Sequence, residues 1–127
     1  MPKETVTTDK APAAIGPYSQ GVKFGNMLFT SGQIPLDPAT GKLVEGDITT
    51  QARQVLSNLS ALLEASGSSI ENVIKTTCFL TNLDDFQAFN EIYAEYFGEG
   101  QPARSTIQVS RLPAGAIVEI ECVAELR

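Results

Sequence analysis

The segment from Ala116 to Leu126 constrains the fold more than any other. Val118, Ile120, Cys122 and Ala124 fall on one face of an extended chain, and Glu119, Glu121 and Glu125 fall on the other. Such a strand belongs to a sheet with one face on a core. Two segments change the period from two to 3.6. In Asp47 to Ser66, residues Ala52, Val55, Leu56, Leu59, Leu62 and Leu63 form one helical face, while Arg53, Gln54, Asn58 and Glu64 lie mostly off it. Asp47 or Thr49 suits the N-cap and Gly67 the stop. In Asp84 to Phe97 the stripe is Phe86, Phe89, Tyr93 and Tyr96/Phe97, which helical spacing reads as core.

Further strands are expected at Tyr18–Phe24 and Met27–Ile34, joined by Gly25-Asn26 as a type II′ hairpin. Two more are expected at Val73–Thr81 and Ala103–Val109. Pro35 to Gly46 reads as a loop long enough for a short hairpin, and Leu112 to Gly115 as a turn. The residues before Pro12 read as a loose arm. The order β-β-loop-α-β-α-β-β predicts a single α+β domain over residues 1–127, with both helices on one face of a mixed sheet. The other face, with Ile117 and Val123 beside the glutamates, is then left for a subunit interface.

The chain has no histidine. That excludes Ser-His-Asp and Cys-His nucleophile pairs and His-ligated zinc. A net charge of −6 argues against a nucleic-acid partner. No run of 18 apolar residues predicts a membrane span, and Met1 to Lys10 lacks a signal-peptide stretch, so a cytoplasmic chain is expected. Cys78 and Cys122 are expected to be reduced, buried thiols.

The chemistry is left to carboxylates, Tyr, Cys, Lys and Arg. Glu119 and Glu121 lie inside a strongly β-forming run, where glutamate is disfavoured. They are either the outward face of a half-exposed strand or carboxylates held at a covered sheet surface. Arg104 is either a surface residue or a planar fork for a carboxylate. If the last two strands form a hairpin about Pro113-Ala114, Glu119 pairs with about Gln108. Arg104 then sits far from it. Gly32, inside a strand, marks either a packing position or a close approach.

Five segments resemble one family. They are Ala13-Ala14-Ile15-Gly16-Pro17-Tyr18-Ser19-Gln20, Thr30-Ser31-Gly32-Gln33-Ile34-Pro35, Pro102-Ala103-Arg104-Ser105, Arg111-Leu112-Pro113 and Val118-Glu119-Ile120-Glu121. They are similar, in order and over nearly the whole chain, to the RidA (YjgF/YER057c/UK114) family. The resemblance implies a chorismate-mutase-like fold and a homotrimer whose sheets form a central barrel, with ligand sites between subunits. It implies hydrolysis of 2-iminobutanoate and 2-iminopropanoate (or their enamine tautomers) to 2-oxo acids and ammonia, which protects pyridoxal-phosphate enzymes. Regulatory binding and endoribonuclease activity are also known in the family; the acidic balance counts against the latter. By resemblance, Arg104 clamps the substrate carboxylate and Glu119 orients or deprotonates water. Tyr18, Ser31, Gly32 and Asn90 occupy other cleft positions. Thr106 stands where many members have cysteine, leaving a hydroxyl in place of a thiol. No metal and no cofactor is implied.

Overall fold

The computed structural model describes residues 2–127. Its strands are β1 (Glu4–Val6), β2 (Gly21–Phe24), β3 (Met27–Thr30), β4 (Val73–Leu80), β5 (Ala103–Gln108) and β6 (Val118–Glu125). The helices are α1 (Ile48–Ala65) and α2 (Phe86–Tyr96). One mixed sheet runs in the order β1-β2-β3-β6-β4-β5.

That order explains why both helices lie on one face. β6 is antiparallel to both β3 and β4, so β3 and β4 share a direction, and β5 is parallel to β4. The chain steps β3, α1, β4, α2, β5 in one direction across the sheet. Two right-handed crossovers made in the same direction place their helices on the same side. β6 then returns to fill the gap between β3 and β4.

The apolar face of α1 meets Val118, Ile120 and Ala124 of β6 and Cys78 and Leu80 of β4 in a single core cluster. Leu56, Leu59, Leu62 and Leu63 are fully buried there. Each contributes about 1.5–3 kcal/mol relative to exposure. Asp47 caps α1 by accepting from the Thr50 N–H at 3.0 Å, and its carboxyl pKa is lowered by that bond. Gly67 follows the helix at φ 84°, a left-handed stop. Gly25 is left-handed at φ 63° and Asn26 is not, which fits a II′ hairpin rather than a I′ one.

Several expectations need correction. Residues 4–6 are not a loose arm; they pair with β2, with Val6 opposite Gly21. Gln20 ties down the chain that follows them. Its side chain accepts from the Thr8 N–H and donates to the Thr8 and Pro12 carbonyls at 3.0 and 2.8 Å. The expected strand over Tyr18–Phe24 starts only at Gly21, and Met27–Ile34 is broken after Thr30, resuming as a bridge from Gln33 to Ile120. β5 and β6 form no hairpin. β5 is the sheet edge beside β4, and Glu119 pairs with Phe79, not with Gln108. Ile117 packs against the core cluster rather than lying on the open face.

Asn58 is buried on α1, where it donates to the Leu36 carbonyl at 2.8 Å. Gln51 is buried too, donating to the Val44 carbonyl and accepting from the Ile117 N–H, each at 3.0 Å. These amides saturate backbone groups that would otherwise be unpaired. They pin the loop 34–44, which does contain a short hairpin bridged at Leu36 and Leu43. No helix among the described residues is long and apolar enough to cross a membrane.

Candidate active site

Glu119 lies near the start of β6, on the face away from the helices. The Gln33–Ile120 bridge, closed by bonds of 2.8 and 3.1 Å, brings Gly32 alongside it. A Cβ at residue 32 would stand 1.8 Å from Glu119 Oε2, so only glycine leaves room for the carboxylate. Ser31 donates its hydroxyl to the Ser19 carbonyl at 2.5 Å, and its N–H donates to the Gln20 carbonyl at 2.9 Å. This lashes the Tyr18 segment to the end of β3. Tyr18 turns back on itself: its N–H donates to the Gly16 carbonyl, and its hydroxyl accepts from the Ile15 N–H at 3.3 Å. Ile15, Tyr18, Ser31, Gly32, Glu119 and Glu121 line one cleft of about 440 Å³. Half-buried, Glu119 has its carboxyl pKa raised, first by desolvation and then by Glu121. A carboxylate so shifted suits proton exchange better than an ordinary surface glutamate.

Arg104 is elsewhere. On β5 it pairs with Thr76, a fully buried residue of the helix side, while Glu119 pairs with Phe79, three residues along the same strand. An odd separation on β4 puts Arg104 and Glu119 on opposite faces of the sheet. The guanidinium lies 4.7 Å from the Tyr93 ring centre and 5.4 Å from that of Phe86, and it donates to Asn90 Oδ1 at 2.8 Å. Asn90, Tyr93, Gln101, Pro102 and Arg104 line a second cleft of about 360 Å³. Thr106 shares this face of β5, and its hydroxyl is buried without a hydrogen-bond partner. Behind it, Cys78 is fully buried and its thiol is pushed up to about 11 by desolvation; Cys122 is pushed up to about 12 by the same cause. Both are free, and neither is a thiolate nucleophile at neutral pH.

The expected site residues thus form two groups in one chain. Tyr18, Ser31, Gly32 and Glu119 come together on one side, and Asn90, Arg104 and Thr106 on the other. Phe86 and Tyr93 were missed as site residues, because an aromatic stripe at helical spacing reads as core. Phe86 is in fact 38% exposed, with the Arg104 guanidinium beside its ring.

A mixed sheet carrying two helices on one face is the α+β architecture of the Rid proteins. Residues 8–126 match the family model described as Endoribonuclease L-PSP, and the chain belongs to this family, the RidA (YjgF) family. A RutC family protein of Pyrococcus horikoshii is 56% identical, over 96% of this chain and 97% of that one. The Reactive Intermediate Deaminase A of Arabidopsis thaliana, a chloroplastic protein, is 52% identical, over 98% of this chain and 66% of its own length. Among solved structures, RidA from an Antarctic Psychrobacter superposes with a TM-score of 0.93 at 46% identity, covering 97% of this chain and 99% of that one. Escherichia coli TdcF, solved with bound serine, gives 0.91 at 46% identity, covering 98% and 99%.

Proposed function

We propose that this chain is a deaminase of 2-imino acids, converting 2-iminobutanoate and 2-iminopropanoate to 2-oxo acids and ammonia. The active unit is a homotrimer with the open sheet faces forming a central barrel. The observation that carries this reading is the separation of Arg104 from Glu119. Each chain holds an anion clamp on one side and a water-activating carboxylate on the other, and two chains docked cleft to cleft supply both. The serine bound to the E. coli relative is a small amino acid with a carboxylate next to a carbon that bears nitrogen, as in the proposed substrates.

The reaction asks little beyond this. A protonated imine is already electrophilic, so orientation of a small anion and a water suffices, and neither metal nor covalent nucleophile is needed. Arg104 holds the carboxylate through paired N–H donors. Glu119 takes a proton as water oxygen bonds to C2 and the C=N electron pair moves to nitrogen. Returning that proton to nitrogen makes ammonia the leaving group; as the C–N bond breaks, the O–H electron pair forms the C=O bond of the 2-oxo acid, and the hydroxyl proton passes to the freed Glu119 carboxylate and from there to the departing ammonia. Tyr18, Ser31 and Gly32 shape the water side, and Asn90 and Thr106 the carboxylate side. The product 2-oxo acids are harmless to the pyridoxal-phosphate enzymes that the imines would attack.

The test is a threonine dehydratase reaction with this protein added. Wild type accelerates ammonia release, and Arg104→Ala and Glu119→Ala each abolish the effect. Co-refolding the two variants returns activity, because roughly a quarter of the clefts in random mixed trimers carry both intact halves. Full activity in either variant alone, or none after mixing, defeats the shared-cleft mechanism. Calorimetric binding of 2-oxobutanoate with no rate effect defeats the enzyme reading and leaves a binding protein.

A further inference from the structure

We propose that Tyr93 and Phe86 are positioning residues for Arg104: their rings form an aromatic bed that fixes the guanidinium in the pose that grips a carboxylate. The inference rests on Arg104 being the clamp, as the proposed function requires. An arginine on an edge strand normally samples many rotamers, and freezing them on binding weakens affinity. Here the freezing is done in advance. Phe86, Asn90 and Tyr93 are spaced i, i+4, i+7 on α2 and so share the face turned to β5. The two rings take the cation's flat surface and Asn90 takes one N–H. Rings attract a cation through their quadrupole without consuming any N–H donor, so the remaining donors stay free for the ligand.

The bed is itself anchored. Tyr93 is buried, and its hydroxyl lies 2.7 Å from the Thr76 hydroxyl on β4, the residue opposite Arg104 in the sheet. Phe89 and Phe97 flank its ring at 5.7 and 4.6 Å. Helix and strand are therefore linked beneath the cation, and the ring is held by Phe89 and Phe97 as well, so the surface on which the guanidinium rests does not depend on the hydroxyl alone. The uncharged face of Tyr93 is what matters to Arg104; the hydroxyl matters to Tyr93.

Two readouts test this. In ligand-free protein labelled at arginine with nitrogen-15, the Arg104 side-chain N–H protons are expected to resonate upfield of the other arginines, from ring currents, and to lose that shift in Tyr93→Leu. In binding and turnover, Tyr93→Leu weakens 2-oxobutanoate and raises KM by about fivefold to tenfold with a smaller change in kcat, while Tyr93→Phe stays within about twofold of wild type. Phe86→Leu, at a partly exposed position, weakens binding by about threefold and keeps the assay decisive if Tyr93→Leu fails to fold. An unshifted Arg104 resonance in wild type overturns the proposal. So does wild-type affinity in both leucine variants. If wild type binds no 2-oxo acid at all, the function reading falls, and the ligand-free resonance alone decides whether the bed holds Arg104.

Discussion

Gly32 is needed because of what lies on it. A methyl group there would overlap the Glu119 carboxylate, which is the free end of a flexible side chain rather than backbone. The side chain can swing away, so Gly32→Ala should leave the thermal midpoint within a few degrees of wild type. The carboxylate would be displaced from the pose in which it is proposed to activate water, and a misplacement of about 1 Å costs roughly a hundredfold in rate. Thermal unfolding beside kcat/KM measures both, and unchanged kcat/KM would mean that Glu119 does not act from this position. Glu121 bears on the same group through charge. Desolvation and then Glu121 raise the Glu119 pKa, so the folded state favours the protonated carboxyl; that contribution to stability is present in acid and lost as pH rises through the folded value. Glu121→Gln removes the second cause and lowers the pKa. In the role proposed for it Glu119 works ionised, so the acidic limb of the kcat/KM profile should move to lower pH; a static or upward-moving limb would show that Glu121 does not tune it. These roles were partly legible in sequence. Glutamates in a β-forming run and a glycine within a strand are locally unusual. The aromatic bed is not, because Phe86 and Tyr93 obey the same helical period as a core stripe and differ from one only in what lies above them. Gln20, Gln51 and Asn58 escaped for a related reason: a buried amide is defined by distant backbone groups that it must satisfy, and no periodicity announces those.

Among elements, type was easier to read than placement. α1 shows its period, its cap at Asp47 and its stop at Gly67 within one continuous stretch, and it folds with nearly those bounds. β6 was equally clear as a strand and was assigned the wrong neighbour. Pro113-Ala114-Gly115 has turn chemistry, with Ala114 at φ 60° and Gly115 at φ 76°, and it suggested a hairpin. The chain instead carries β6 past β4 into the gap beside β3. Local sequence cannot distinguish these outcomes, because both faces of a strand alternate the same way whichever strand donates its N–H groups. The consequence for the site is a different kind of separation. A β5–β6 hairpin would have placed Arg104 and Glu119 in adjacent strands but far apart along them. The actual order separates them by β4 and by the thickness of the sheet. β1 was missed because three residues give too short a run for alternation to register, and pairing with β2 supplies what propensity does not.

At the scale of the molecule, the open sheet face is where the assembly question is decided. Phe29 and Phe24 are each nearly half exposed there, with Val123 paired to Phe29 and Ile107 exposed at the far edge. Their alternation with Glu119, Glu121 and Lys75 gives a surface apolar in part and charged in part. Large apolar side chains left exposed between charges on one sheet face suit burial against another subunit. In a central barrel these side chains would face one another, and each subunit's arginine cleft would be carried towards a neighbour's carboxylate cleft. Phe29→Asp separates folding from assembly. Within one chain the side chain touches no part of the helix-side core, so the variant should still unfold cooperatively in urea, with a midpoint that does not depend on protein concentration as a trimer's does. Across an interface an unpaired carboxylate must be desolvated, at a cost of several kcal/mol, which is comparable to the whole surplus of a modest subunit contact. Sedimentation velocity is therefore expected to find a trimer for wild type and a folded species of one chain's mass, 13.6 kDa, for the variant. The variant should also lack deaminase activity, with Arg104 and Glu119 both intact, because the proposed reaction needs both half-sites together. Activity in a stable monomer would place the whole reaction within one chain, where the sheet stands between the two residues said to perform it.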